Sequence, residues 1–267
     1  MRKPIITLTT DFGTKDGYVG AVKGVIKRVN PEAEVLDITH QIEPFDVLGA
    51  AFALSNFYRY FPKRAIHMVV VDPGVGSQRQ PLLIRSEDFL FVGPDNGVFS
   101  FVYQNERITE IIALSKGKYF LAELSSTFHA RDIFAPVTAY LSLGVDAKEF
   151  GNTAKECLKL KIPEPKSLKK DVFGEIIHID GFGNLVTNIG AELLKNKSEG
   201  SAFGGKVVRI VVGKRQVKRI ARSYFDIPGK EVGALVGSSG FLEIAVNQVS
   251  AQKVLKGRIG TPVRITF

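Results

Sequence analysis

Ile66-His67-Met68-Val69-Val70-Val71, followed by Asp72-Pro73-Gly74-Val75-Gly76, decides the fold. The run is apolar on both faces, as in a central strand covered by layers on either side, and it stops at an Asp-Pro-Gly turn. It falls far short of the roughly 20 apolar residues needed to cross a bilayer, which excludes a membrane span here. Working towards the N-terminus, Ile5-Ile6-Thr7-Leu8-Thr9 is a second β-prone run, ending at Asp11-Phe12-Gly13. Beyond it, Val19, Val22, Val25, Ile26 and Val29 recur at helical spacing. Val35 to Ile38 is a further short strand, and residues 45–60 return to a helical pattern. Strand and helix alternate, so the first part is expected to be an α/β domain with a layered, mostly parallel central sheet.

Towards the C-terminus, Leu82-Leu83-Ile84 and Phe89-Leu90-Phe91-Val92 form an expected strand pair before the turn Gly93-Pro94-Asp95-Asn96-Gly97. After residue 171 the texture changes to short β-prone runs separated by Gly, Pro or polar turns. These are Val172–Ile179, Lys206–Val212, Gln216–Ile220, Ala234–Val236, Phe241–Val246 and Val263–Phe267. A smaller, all-β, barrel-like domain is expected there. The proline- and charge-rich stretch Ile162-Pro163-Glu164-Pro165-Lys166 disfavours helix and suggests a linker. The expected division is 1–160, a linker at 161–171, and 172–267.

Charge supports two parts. Of the 267 residues, 36 are Lys or Arg and 27 Asp or Glu, a net +9, yet residues 1–160 balance at 18 of each sign. The excess lies wholly in the last 107 residues. A basic C-terminal part could meet nucleic acid, but dispersed lysines without exposed-looking aromatic pairs favour plain solubility. The single Cys157 cannot close an intramolecular disulfide, and no signal-peptide pattern is legible, so the expected location is cytoplasmic.

In open α/β sheets ligands sit beyond the carboxyl ends of the strands, which here carry Asp11, Asp72 and Asp95. Each Asp would equally suit a turn or a helix cap. The four histidines are too scattered for a zinc site, and no metal is expected. Asp11-Phe12-Gly13 has the form of a kinase magnesium loop but lacks the upstream glycine-rich and catalytic loops. No Gly-Lys-Ser/Thr phosphate loop and no Gly-x-Ser-x-Gly elbow occurs. What remains are polar residues in glycine-rich settings, among them Asp16, Arg79, His129, Asn184 and Ser238. His129 precedes an apolar stretch and is placed at a helix entrance, where backbone donors favour anions.

The motifs Ile6-Thr7-Leu8-Thr9-Thr10-Asp11-Phe12-Gly13, Asp16-Gly17-Tyr18-Val19-Gly20, Val71-Asp72-Pro73-Gly74-Val75-Gly76, Gly93-Pro94-Asp95-Asn96-Gly97, Phe128-His129-Ala130-Arg131-Asp132, Phe182-Gly183-Asn184 and Gly237-Ser238-Ser239-Gly240-Phe241 occur in this order. Together they resemble the S-adenosyl-L-methionine hydroxide adenosyltransferases, the water-using relatives of fluorinase and chlorinase. The resemblance spans nearly the whole chain. It implies attack of water or hydroxide on the 5′ carbon of S-adenosyl-L-methionine, giving adenosine and L-methionine without metal or cofactor. It places the catalytic set on Asp72, Arg79 and His129. It assigns the ribose hydroxyls to Asp11, the methionine amino group to Asp16, and aromatic walls to Phe45 and Phe128. From the second domain it assigns Phe182, Asn184, Ser238, Glu243 and Val246, contributed by a neighbouring subunit of a homotrimer. Ala130 stands where fluorinase has a halide-binding Ser, and Asp72 where it has a Tyr, so a halogenase is the weaker enzymatic alternative. A non-catalytic adenosine or S-adenosylmethionine binder is the alternative from another class.

Overall fold

The computed structural model describes residues 5–197, 209–217 and 219–267, in two compact units, Met1–Leu160 and Lys161–Phe267. The expected strands Lys206–Val212 and Gln216–Ile220 lie partly outside the described residues.

In the first unit seven strands form one mixed sheet: β1 (Ile5–Thr10), β2 (Glu34–Thr39), β3 (Ile66–Val70), β4 (Pro81–Ser86), β5 (Leu90–Pro94), β6 (Ile108–Leu114) and β7 (Gly151–Thr153). Their order is β2-β1-β3-β5-β4-β6-β7. The half containing β2, β1, β3 and β5 is parallel, and β4, β6 and β7 add an antiparallel half. The helices are α1 (Tyr18–Val29), α2 (Val47–Phe57), α3 (Ser100–Asn105) and α4 (Ala135–Ser142). α1 ends with Lys27 and Arg28 in its last turn, where cations suit the helix dipole. α2 starts at Asp46, whose Oδ1 accepts the Gly49 N–H at 2.8 Å.

β3 shows why the decisive stretch is apolar throughout. Ile66, Met68 and Val70 enter a core built with Val22 and Ile26 of α1 and Val137 of α4. Val69 and Val71 enter the opposite core, with Ala50 and Leu54 of α2. Both faces of the strand are covered, and each fully buried side chain of this kind contributes about 1.5–3 kcal/mol. Topology then creates a crevice. From β1 the chain passes through α1 to β2 on one side, then through α2 to β3 on the other, so the sheet order reverses at β1. Such a switch point leaves room for a ligand beyond the strands' carboxyl ends.

The second unit contains β8 (Lys166–Leu168), β9 (Asp171–Ile179), β10 (Leu185–Gly190), β11 (Arg209–Val212), β12 (Arg215–Val217), β13 (Arg219–Ile220), β14 (Val232–Val236), β15 (Phe241–Val246) and β16 (Pro262–Thr266). The helices α5 (Ala191–Lys197) and α6 (Ala251–Leu255) complete it. The strands run β12-β11-β16-β9-β10-β15-β14-β13, with β8 also pairing with β9. All pairings but β13 with β14 are antiparallel, and β12 approaches β14, curling the sheet into a barrel-like wall. Ile176, Leu185, Leu242 and Ile244 fill its centre. Gly213-Lys214 forms the hairpin tip between β11 and β12. Part of the stretch expected as linker is therefore strand, because Lys166–Leu168 pairs with β9. Among the described residues no helix is long and apolar enough to cross a membrane.

His67 is fully buried on β3. Its Nδ1 meets Thr7 Oγ1 at 2.8 Å, Nε2 has no partner, and the rings of Phe57, Tyr58, Phe61, Phe89 and Phe91 lie 5.4–6.1 Å away. Burial pushes its pKa down to about 3, so the folded protein holds it neutral. The unfolded chain protonates it below about 6.5, so this contribution to stability is complete above that pH and is lost as pH falls towards 3. Replacing His67 with Phe should flatten the acid limb: the drop in unfolding free energy between pH 6.5 and 5, measured by urea titration, should shrink by about 1–2 kcal/mol. An unchanged slope would show that His67 does not govern it.

Candidate active site

In β1 Thr10 is in register with Val70 of β3, so the next residues along the two strands bring Asp11 and Asp72 to the same edge. Between them opens a cavity of about 390 Å³ at the switch point. Asp11, Asp72, Phe45, Phe128 and His129 all line it. The sequence also pointed to Asp16 and Asp95. Asp16 is exposed and does not line the cavity. Asp95 does not line it either: its Oδ1 accepts the Leu158 N–H at 2.8 Å, the turn-clasping role open to any such Asp.

Three features hold the walls. Asp11 Oδ2 accepts the Phe45 N–H at 2.9 Å, and Phe45 has φ +69°, a conformation unusual outside glycine, with its ring 70% exposed over the opening. Phe128 packs edge to face on Phe12 and Tyr18, which are tilted against each other, with centroids 5.2–6.0 Å apart, and the three form an apolar wall. The loop carrying Phe128 is pinned by buried Asp132, whose Oδ2 accepts the Ser125 N–H at 2.7 Å and which also pairs with Arg131. Gly76 makes this packing possible: at φ +78°, a Cβ there would sit 2.4 Å from the Ser126 carbonyl.

Asp72, Arg79 and His129 meet at the wall of this cavity, which Asp72 and His129 line and Arg79 does not. Arg79 Nε donates to Asp72 Oδ1 at 3.0 Å and Nη2 donates to Asp72 Oδ2, a bidentate clamp between two side chains over 90% buried. Nη2 also lies 2.9 Å from His129 Nδ1. A guanidinium only donates, so Nδ1 is the acceptor and the neutral ring carries its proton on Nε2. Burial, and next the Arg79 charge, lower the His129 pKa, with Asp72 and Asp132 opposing in part. Arg79 Nη1 is buried without a protein partner, and its guanidinium lies 5.4 Å from the Phe134 ring centroid. His129 heads a π-helical turn, Ala130–Phe134, that leads into α4.

The second unit has its own cavity, about 500 Å³, lined by Phe182, Asn184, Ser238, Glu243 and Val246, all five residues expected there. Asp180 builds the loop: Oδ1 accepts the N–H groups of Phe182 (3.0 Å) and Asn184 (2.8 Å), and Oδ2 accepts from Asn184 Nδ2 (2.8 Å). This leaves the Phe182 ring 83% exposed. Gly183 has φ +83°, and a Cβ there would meet Ser250 Oγ at 2.1 Å. Glu243 is buried and accepts the Tyr224 hydroxyl at 2.7 Å. Burial pushes its carboxyl above the ordinary range, Asp180 adds to this, and the Tyr224 bond opposes it.

Phe12 and Tyr18 lie within the glycine-rich motifs, yet nothing local marks them as cavity walls, whereas the turn-building pattern of Asp180 is legible in the sequence. Tyr224, Gln248 and Ser250 had no signal, since nothing local ties them to a cavity. Among the described residues no cluster of three or more His, Cys, Asp or Glu is placed to hold a metal ion.

The class is that of a two-unit chain: a mixed α/β unit with two carboxylates at its switch point, and a separate barrel-like β unit with an exposed aromatic loop. Comparison with known proteins sharpens this class. Residues 6–151 match the SAM hydroxide adenosyltransferase N-terminal domain and residues 174–264 the SAM hydroxide adenosyltransferase C-terminal domain, so the chain belongs to that family. It is 36% identical to the (R)-S-adenosyl-L-methionine hydrolase of Methanocaldococcus jannaschii, covering 94% of this chain and 91% of the relative. The enzyme of the same name from Salinispora tropica is 33% identical over 98% of each chain. A crystal structure of an uncharacterized conserved protein from Thermotoga maritima superposes with a TM-score of 0.91 at 37% identity, covering 98% of this chain and 100% of that one. Fluorinases are more distant, at 24–26% identity.

The His129 assignment is directly testable. Nitrogen-15 NMR of the histidine rings should show the Nε2–H tautomer at neutral pH, protonating only below pH 6.5. Replacing Arg79 with Ala removes the cation and leaves Asp72 facing the ring, so the His129 pKa should rise. A ring already cationic at neutral pH would contradict the arrangement.

Proposed function

We propose that the protein hydrolyses S-adenosyl-L-methionine to adenosine and L-methionine. What supports this reading above all is the contact of Asp72, Arg79 and His129 at a cavity that Asp11 also lines, in a member of this family. Asp11 accepts the ribose hydroxyls, and Phe45, Phe128 and their aromatic neighbours form the walls. Asp16 takes the methionine amino group, a role resting on the resemblance alone. In the second unit Phe182, Asn184, Ser238, Glu243 and Val246 bind the remainder of the substrate.

The chemistry asks for a nucleophile rather than an acid. The sulfonium leaves as a neutral thioether, taking the electron pair of the C5′–S bond, while the water oxygen forms the new bond to C5′. The water proton must be removed, and bulk water has a pKa near 15.7. His129 Nδ1 is occupied by Arg79, so its remaining ring atom donates and orients. Asp72 keeps lone pairs and is the proton acceptor. Arg79 places a buried positive charge beside the developing hydroxide, and its free Nη1 hydrogens remain available. No metal or cofactor enters this scheme.

A halide is poorly served here: Ala130 lines the cavity without a hydroxyl, and the Asp72 carboxylate repels an anion. We further propose that the chain acts as a cytoplasmic homotrimer, in which the second-unit cavity of one subunit completes the first-unit cavity of its neighbour. Light scattering should then give three times the chain mass.

Incubation with S-adenosylmethionine in ¹⁸O-water should yield methionine and adenosine labelled at its 5′ oxygen. Intact substrate with adenosine bound would make the protein a binder instead. Asp72→Ala, Arg79→Ala and His129→Ala should each cut turnover by about 10²-fold or more while adenosine binding persists. Arg79→Ala also strands a buried carboxylate, so its folding should be checked by thermal melting. Activity surviving all three would remove the catalytic assignment. Asp11→Ala should weaken adenosine binding itself, since hydrogen bonds to a charged acceptor are worth about 1.5–3 kcal/mol each.

A further inference from the structure

Asp11 makes one hydrogen bond of its own, to the Phe45 N–H, yet the residues around it are tied down closely. The ties converge on His40, which is 6% exposed at the end of β2. The His40 carbonyl accepts the Gly13 N–H at 2.7 Å. Its ring Nδ1 lies 2.8 Å from Thr10 Oγ1, and Thr10 Oγ1 accepts the Phe12 N–H at 3.3 Å. On the other side of the ring, Nε2 lies 3.0 Å from Asp37 Oδ1, an electrostatic contact away from ideal hydrogen-bond geometry. Asp37 is also paired with Lys23 Nζ at 2.5 Å. The carboxylate favours the ring proton on Nε2, which leaves Nδ1 to accept the Thr10 hydroxyl, and that hydroxyl keeps a lone pair for Phe12. Residues 10 and 12 are thus held on either side of Asp11 through the buried imidazole, and residue 13 by the backbone carbonyl of the same His40.

We infer that His40 and Thr10 are positioning residues that aim the Asp11 carboxylate at the vicinal hydroxyls of a ribose. This rests on the ribose-binding reading of Asp11. Neither residue lines the cavity, so the effect runs through the loop and falls on ligand affinity, leaving water activation by Asp72, Arg79 and His129 largely untouched.

The test measures adenosine Kd by calorimetry, with KM and kcat for S-adenosylmethionine. Thr10→Val should raise Kd and KM about 10-fold, equivalent to 1.4 kcal/mol, with kcat changed less than about threefold. Thr10→Ser, which restores the hydroxyl, should return both to near the parent values. His40→Asn keeps an acceptor near the Nδ1 position but loses the Asp37 contact, and should give a smaller loss of the same kind; it serves if Thr10→Val fails to fold. In an Asp11→Asn background, itself weakened, Thr10→Val should add little, because the two changes act through one contact. A folded Thr10→Val protein with parent-like Kd and KM, or one that loses kcat alone, overturns the inference while the Asp11 reading stands. An Asp11→Asn protein that binds adenosine as the parent does overturns that reading and the inference with it.

Discussion

The parallel pairing of β1 with β3 is the constraint on which the first unit depends. With Thr10 opposite Val70, two strands far apart in sequence end at the same edge, and each is followed by an aspartate. The connection through α1 places β2 on one side of β1 and the connection through α2 returns the chain to β3 on the other, which is the arrangement that leaves a crevice at that edge. Side chains of β3 enter the cores on both faces, which fixes the strand against slipping: a shift of one residue would exchange Met68 and Val70 for Val69 and Val71. Rigidity of the scaffold is thereby handed to Asp11 and Asp72.

Around that edge the protein places groups that are expensive to bury and makes each answer another. Asp72 and Arg79 are nearly dry, and an ion pair of this kind is costly to break even where it adds little net stability. The same guanidinium also fixes the His129 tautomer, so one cation engages both neighbours. Asp132 performs a backbone task close by, closing the loop that brings Phe128 and His129 to the cavity. The second unit repeats the device with Asp180, whose oxygens are spent on the loop that presents Phe182. Carboxylates here divide into those that build loops and those that face the cavity, and sequence position alone does not separate them. Asp95 illustrates this, since it occupies a strand end like Asp11 and Asp72 but closes onto Leu158.

By itself the sequence determined the alternation of strands and helices in the first unit, the change to short β runs in the second, and the family, because hydrophobic period and glycine-rich motifs are local properties that survive without a fold. Through the family resemblance it also pointed to Asp72, Arg79, His129, Asp11, Phe45 and Phe128. The pairing of β4 with β6, which sets Leu82 against Ala113, was not legible because it is long-range; the local pairing of Lys166–Leu168 with β9 was hidden by the neighbouring prolines and charges, and the wall of Phe12 and Tyr18 is completed only by Phe128, far along the chain. Only the tertiary structure decided which atom of His129 holds the proton, that Asp95 stays out of the cavity, and that His40 grips the loop of Asp11 through Thr10. The physical reason is common to all three: hydrogen-bond roles depend on distances between residues many positions apart, and a residue's chemistry becomes definite only when its partner is in place.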